Sequence, residues 1–355
     1  MLRFAIVVTF LMRLGPAMAA DADAGETAAG APSADQARWA VVWFDGFDGD
    51  ALDPARWKAE ASCWGGGNNE RQCYTARPEN VRVDGGVLRL TARPETFSGP
   101  RYPAHYDQFD GERGEDQHRN YTSGKVVTHG LGAWTYGRVS ARMKLPAGKG
   151  AWPAFWMLPV EDAYGDWPLS GEIDVMEAVN LETPCADCAG GVDRRVSGAL
   201  HFGSAPPDNE YLFARTGNAI ALDPTREWHV YTVEWAEGVI QWFVDGRMFM
   251  RLEAGDWHTG AVAADKNPLA PFDRAFYLNI NLAVGGDMPE RAVGGGFDPS
   301  AFPAELLVDW VRVEQCAGDL ETGLACLSPR TWRGAPMGPE DGTVNGKRRD
   351  GAELN

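Results

Sequence analysis

The segment Gly171-Glu172-Ile173-Asp174-Val175-Met176-Glu177-Ala178 places three carboxylates close together, separated only by Ile, Val and Met. Side chains two apart on a β-strand leave the same face, so Glu172 and Asp174 project together. Glu177 stands five residues from Glu172, and in a regular strand it would point the other way. One extra residue, a β-bulge near Val175-Met176, returns it to their face. A helix would spread that spacing around its circumference. An exposed strand would leave three acids repelling one another with no basic residue among them. Two carboxylates that flank a glycosidic bond can cleave it, one as nucleophile and one as proton donor. Retention of configuration needs the carboxyl groups ~5–5.5 Å apart, and inversion needs a wider gap. A rise of ~3.3 Å per residue sets the two Glu backbones further apart than that, so their side chains must converge on a curved face. Asp174 between them couples to both titrations and helps one partner keep its proton while the other stays ionised.

Trp134, Trp152, Trp156 and Trp167 all shortly precede this segment. Sugar rings have apolar faces that stack on aromatic rings, so tryptophans beside paired acids suit a polysaccharide, although large aromatics also dominate cores. The platform reading is strongest for Trp156 and Trp167, and Trp152 is also taken as substrate-facing.

The elements that must position these groups show a period of two. Arg138 to Leu145 alternates polar and apolar residues, and Val87–Ala92, His229–Trp235, Ile240–Val244, Tyr277–Leu282 and Leu307–Val313 behave similarly. Asp84-Gly85-Gly86 and Asp245-Gly246 supply hairpin turns. No long stretch keeps a 3.6-residue pattern, and no internal repeat is visible. Many short strands with turn signals predict an all-β chain, a two-sheet sandwich or a barrel. Composition narrows the partners. The chain has 355 residues, 14 Trp, and 33 Lys+Arg against 50 Asp+Glu, a net charge of −17. Such a chain is a poor match for phosphate backbones or anionic membranes, so neither nucleic acid nor membrane is an expected partner.

Arg3, the apolar run Phe4–Met12 and the small residues Ala17-Met18-Ala19 predict a signal peptide over 1–19 and a secreted, extracellular or periplasmic product. Residues 20–37 suit a mobile linker, 38–316 a single catalytic domain, and 317–355 a polar, disordered tail that contains a basic cluster at Lys347-Arg348-Arg349. The protein is expected to act as a monomer. Six cysteines in an exported chain permit three disulfides. Cys63 and Cys73 flank a Gly-rich loop, Cys316 and Cys326 could tie the last strand to the tail, and Cys185 and Cys188 suit a loop disulfide or free thiols. Two segments look inserted: 181–195, and 100–122 with His105, Asp107, Asp110, Glu112, Glu115, Asp116 and His118. The ligand spacing in 100–122 is irregular, which favours a solvated loop over a metal site.

The chain resembles glycoside hydrolase family 16, most closely its laminarinase-like endo-β-1,3-glucanases. Beside Gly171–Glu177, the motifs are Gly67–Thr75 (GNNERQCYT), Tyr121–Lys125 (YTSGK), Tyr136–Val139 (YGRV), Trp152–Pro159 (WPAFWMLP), His201–Gly203 (HFG), Asn281–Gly286 (NLAVGG) and Val308–Val313 (VDWVRV). The resemblance implies a β-jelly-roll sandwich of two curved antiparallel sheets with a concave cleft, and a retaining double displacement on a β-glucan. It implies Glu172 as nucleophile, Glu177 as general acid/base and Asp174 as the assisting carboxylate. It further implies that Asn68 or Asn69, Lys125, Trp156, Trp167 and Asn281 hold the donor sugars, with His201 close to the acid/base. Lys125 stands where the family often has Arg, which removes a planar fork from a sugar contact. The extra Met176 favours the β-1,3 branch over lichenase-like members, and the negative charge favours a neutral glucan over sulfated galactans. No cofactor is implied for catalysis. A structural Ca²⁺ is common on the convex side of the family, and Asp309 is the candidate ligand, although Asp45-Gly46-Phe47 lacks the usual second carboxylate.

Overall fold

The computed structural model describes residues 38–104, 113–217, 220, 222–292, 294–329, 345–347 and 353–354. The expected signal peptide and linker lie outside the described residues, as do His105, Asp107, Asp110 and Glu112 and most of the tail.

The strands in chain order are β1 (Trp39–Asp45), β2 (Lys58–Ala59), β3 (Gln72–Tyr74), β4 (Val81–Val83), β5 (Leu88–Gly99), β6 (Gln117–Ser123), β7 (Lys125–Val127), β8 (Gly137–Lys144) and β9 (Ala151–Pro159). They continue as β10 (Glu172–Glu177), β11 (Ser197–Gly203), β12 (Asn209–Arg215), β13 (His229–Ala236), β14 (Val239–Val244), β15 (Arg247–Glu253), β16 (Phe276–Val284), β17 (Ala304–Cys316), β18 (Asn345–Lys347) and β19 (Glu353–Leu354). Among the described residues they form two sheets. One runs β15-β14-β13-β8-β17-β5-β6-β3, with β1 on β17 and β4 on β5. The other runs β19-β18-β12-β11-β10-β9-β16-β7-β2. Pairing is antiparallel except between β3 and β6. This is the all-β jelly-roll sandwich that the sequence implies, and its second sheet carries the three acids.

Alternation sorts the side chains. Along β12, Glu210, Leu212 and Ala214 are buried while Tyr211, Phe213 and Arg215 are only partly covered. Strand β16 is buried throughout, as expected of a central strand. The turn at Gly85 and Gly86 has φ of 62° and 76°, and that at Asp245-Gly246 has φ of 49° and 72°, values that suit hairpins and that Gly reaches without strain. Between the sheets, Phe155, Met157, Ile173, Trp242, Leu278 and Ile280 are fully buried. Trp242 supports the acidic strand from below, its Nε1 donating to the Asp174 carbonyl at 2.8 Å. That packing requires Gly198 on β11, where a Cβ would lie 2.3 Å from Trp242 Cδ1.

All three cysteine pairs are joined: Cys63–Cys73, Cys185–Cys188 and Cys316–Cys326. Two segments differ from the sequence expectation. Within 100–122, residues from Gln117 onward are β6, paired antiparallel with β5, because Arg93–Gly99 extends that strand and supplies an edge to pair with. Residues 317–329 pack on the body rather than leaving it. Glu237 N donates to Thr322 O at 2.7 Å, and Ser328 N and Oγ donate to the buried Glu234 carboxylate at 2.7 and 2.8 Å. Strand β18 pairs with Tyr211–Phe213 of β12.

Candidate active site

The acids lie on β10 between β9 and β11. Register places Glu172 opposite His201 and Asp174 opposite Ala199, then slips so that Glu177 faces Ser197. Against β9 the slip falls between Asp174 and Met176. A bulge therefore sits at Val175-Met176, and both of those side chains are buried while all three acids line one cleft of about 960 Å³.

Each outer acid receives an indole. Trp167 Nε1 donates to Glu172 Oε2 at 2.8 Å, and Trp152 Nε1 donates to Glu177 Oε1 at 2.9 Å. His201 Nε2 lies 3.2 Å from Asp174 Oδ2 and 3.8 Å from Glu172 Oε1. His201 thus serves the Glu172–Asp174 end of the row, whereas the resemblance placed it by the acid/base. The reason is register, which sets it opposite Glu172.

Burial raises the proton affinity of the whole row. Burial first, and then the charge of Asp174, push Glu172 up to about 8. Asp174 is held well above the carboxylate range by burial and by the charge of Glu177. Glu177 is raised by burial, against the opposing charges of His201 and Arg215 and the Trp152 hydrogen bond. Asp174 and Glu172 share one face of β10, close enough for the charge of Asp174 to raise Glu172. A proton on Asp174 removes the charge that, after burial, most raises Glu172, and so makes Glu172 easier to ionise.

On the β9, β16 and β7 side, the expected substrate residues form one wall. Trp156 Nε1 donates to Asn281 Oδ1 at 2.6 Å, and Asn281 Nδ2 donates to Tyr74 Oη at 3.0 Å. Lys125 Nζ lies 4.9 Å from the Trp156 ring centroid and is paired with buried Glu60 at 2.8 Å. Asn68 lines the cleft and donates to the buried Glu70 carboxylate, whereas Asn69 donates to Asp287 at 3.1 Å. Trp167 remains 37% exposed, as a platform should, but Trp152 is buried and spends its N–H on Glu177. Trp134 is partly buried and packs edge-on against Trp43 at the margin of the core.

Several cleft residues escaped the sequence reading: Trp64, Glu70, Tyr74, Tyr211, Phe213 and Arg215. Trp64 and Glu70 lie in the Gly-rich loop that the Cys63–Cys73 spacing had already marked. In β12, apolar residues occupy both parities (Tyr211, Leu212, Phe213, Ala214), which conceals its two faces.

The convex-side residues do not fit a calcium ion. Asp309 Oδ2 accepts from Arg142 Nη1 at 2.6 Å. Asp45 is occupied by Phe47 N at 2.8 Å and Trp57 Nε1 at 2.9 Å. Both carboxylates are spent on protein donors, so Asp309 is an ion-pair residue here and no chemistry is routed through a metal.

Comparison with known proteins agrees with this geometry. Residues 68–288 match the model of glycosyl hydrolases family 16. The chain is 40% identical over 288 residues to glucan endo-1,3-beta-glucosidase A1 of Niallia circulans, covering 77% of this chain and 37% of that protein. It is 39% identical over 289 residues to a beta-glucanase of Rhodothermus marinus, covering 78% of this chain and 85% of that one. Among solved structures, the laminarinase of Rhodothermus marinus superposes with a TM-score of 0.58 at 38% identity, covering 79% of this chain and 98% of that chain. With matching motifs, a matching sandwich and acids gathered in one cleft, the chain belongs to glycosyl hydrolases family 16.

Proposed function

We propose that the protein is a secreted, retaining endo-β-1,3-glucanase acting on laminarin-like β-glucans. The observation that carries this reading is the bulged row of Glu172, Asp174 and Glu177 on the cleft face, each outer acid oriented by its own indole. Glu177 protonates the glycosidic oxygen while the Glu172 carboxylate attacks the anomeric carbon, giving a glycosyl-enzyme. Glu177, now ionised, takes a proton from water as that water releases the sugar. Asp174 keeps its proton and donates to Glu172, releasing the carboxylate charge as the covalent bond forms. Trp156, Asn281, Lys125 and Asn68 bind the donor sugars, and Trp167 offers its exposed face beside Glu172. Relatives that act on β-1,3-glucans support the linkage, the disulfides and the apolar run Phe4–Met12 support export, and the net charge of −17 supports a neutral polymer.

Glu172→Gln is expected to abolish hydrolysis of laminarin, losing about 10³-fold or more in kcat, with an unchanged circular dichroism spectrum. Full activity in that variant would sink the proposal. A panel of laminarin, lichenan, agarose and carrageenan, with products resolved by size, tests the linkage; lichenan turned over as fast as laminarin would shift the reading to a mixed-linkage β-1,3/1,4-glucanase.

A further inference from the structure

Residues 181–195 lie between β10 and β11 and return to the acid row at its Glu177 end. Glu182 N donates to Asp193 O at 2.8 Å and Asp193 N to Thr183 O at 2.9 Å, so the two arms of the loop pair and fix Asp193. The Asp193 carboxylate receives the Arg195 guanidinium twice, from Nε at 2.9 Å and from Nη2 at 2.7 Å. The Cys185–Cys188 disulfide closes the tip of the loop, and Arg195 Nη2 lies 3.7 Å from Cys185 Sγ.

This ion pair meets Glu177 around a small space of about 10 Å³. Glu177, Ser197, Arg215 and Met288 line both that space and the cleft, whereas Asp193 and Arg195 line only the space. It has room for one water at most and none for a sugar ring. Whatever Asp193 and Arg195 do to the reaction, they do without touching substrate. Charges of alternating sign surround the space: Glu177, Arg215, Asp193 and Arg195. The Arg215 guanidinium lies 5.9 Å from the Phe213 ring centroid and makes no hydrogen bond or ion pair among the described residues. Burial works against the charge of Asp193, yet the hydrogen bonds and charge of Arg195, with the charge of Arg215, hold its carboxyl below the usual range. Asp193 is thus an anion at neutral pH.

We infer that Asp193 is a positioning residue for the reaction: it cancels Arg195 and faces Arg215, so that Glu177 meets one uncancelled guanidinium instead of two and can hold its proton as general acid. That role rests on Glu177 being the proton donor proposed above. Other groups also face Glu177. Glu172 and Asp174 stand on β10 and His201 on β11, and Trp152 on β9 donates to it. Arg291, which also lines the cleft, is paired with Asp287 at 3.2 Å. On the loop, Arg194 is spent on Glu182, and Asp187 adds its charge to that of Asp193 at Arg195. All of these stay constant when only Asp193 and Arg195 are changed.

The test reads the alkaline limb of kcat/KM on laminarin, where the general acid loses its proton. Asp193→Asn leaves Arg195 uncancelled and should move that limb to lower pH by about half a unit or more. Arg195→Met leaves Asp193 uncancelled and should move it to higher pH. Asp193→Glu should keep the wild-type limb, and Asp193→Asn combined with Arg195→Met should return close to it. A merely structural role would lower activity at every pH, so limbs that stay in place or move the same way overturn the inference. Glu177→Gln checks the role of Glu177 itself. On a dinitrophenyl β-laminaribioside, whose leaving group needs no proton, that variant should keep far more of its kcat/KM than on laminarin. Equal losses on the two substrates overturn the assignment of Glu177 and this inference with it. The expected contrast with unmoved limbs overturns the inference alone.

Discussion

The two indole N–H groups on the acids give the pH profile handles that can be moved separately. Trp167 stabilises ionised Glu172, the form that attacks in the proposed mechanism. Trp167→Phe removes that donor and raises the Glu172 pKa, so the acid limb of kcat/KM should move to higher pH. Trp152 stabilises ionised Glu177, which in the proposed mechanism must hold its proton. Trp152→Phe should therefore move the alkaline limb, also to higher pH, and leave the acid limb in place. Profiles on laminarin check both shifts, each expected at about half a unit to one unit. The same burial has a stability signature. Glu172 rises from 4.5 to about 8 on folding, so between those values the folded state holds more protons than the unfolded one. Stability then falls as pH rises through that window. Glu172→Gln escapes this loss: its Tm should exceed the wild type by several degrees at pH 8 and approach it near 4.5, as read by thermal melts. At this scale the sequence was most legible where chemistry and spacing coincide, in Glu172, Asp174 and Glu177. It could not reveal that Trp152 is a hydrogen-bond donor to Glu177, because one indole serves a core, a platform or a donor with the same side chain.

At the scale of elements, the acidic strand depends on what lies beneath it. Gly198→Ala would drive a Cβ into Trp242, which holds the Asp174 carbonyl. The expected loss is about 1–3 kcal/mol of stability, with activity falling as well; chemical denaturation and laminarin turnover together check it. A variant as stable as wild type would mean that Trp242 yields freely. The bulge was readable from a spacing of five between glutamates, since only an extra residue lets both face one way. Strand β6 was not, because Gln117-His118-Arg119-Asn120 is polar at every position and carries no alternation. It becomes a strand by pairing with β5, a tertiary effect that local sequence does not encode. The β12 stripe stayed hidden for the converse reason, with apolar residues on both its faces.

For the whole molecule, the short strands and turn signals pointed to a sandwich or a barrel, and the two sheets are the sandwich, with Trp156 and Trp167 lining one cleft. The end of the body was less legible. Residues 317–329 are polar and turn-rich, yet Cys326 is buried and Ser328 satisfies a buried carboxylate. A shortened chain ending at Cys316 should melt several degrees below one ending at Pro329, because Glu234 would lose two donors while still enclosed. Equal melting temperatures would place the boundary at 316 after all. The Cys63–Cys73 bond closes the loop that brings Trp64 and Asn68 to the cleft wall. None of β9, β10 and β11 contains a cystine, so the acid row and the cleft wall at Trp64 and Asn68 depend on different chemistry. The first is set by strand register and packing, whereas the second awaits an oxidant from outside the chain. The grip of this wall on a ligand should therefore be weaker in chain folded under reducing conditions than in chain folded under oxidising ones.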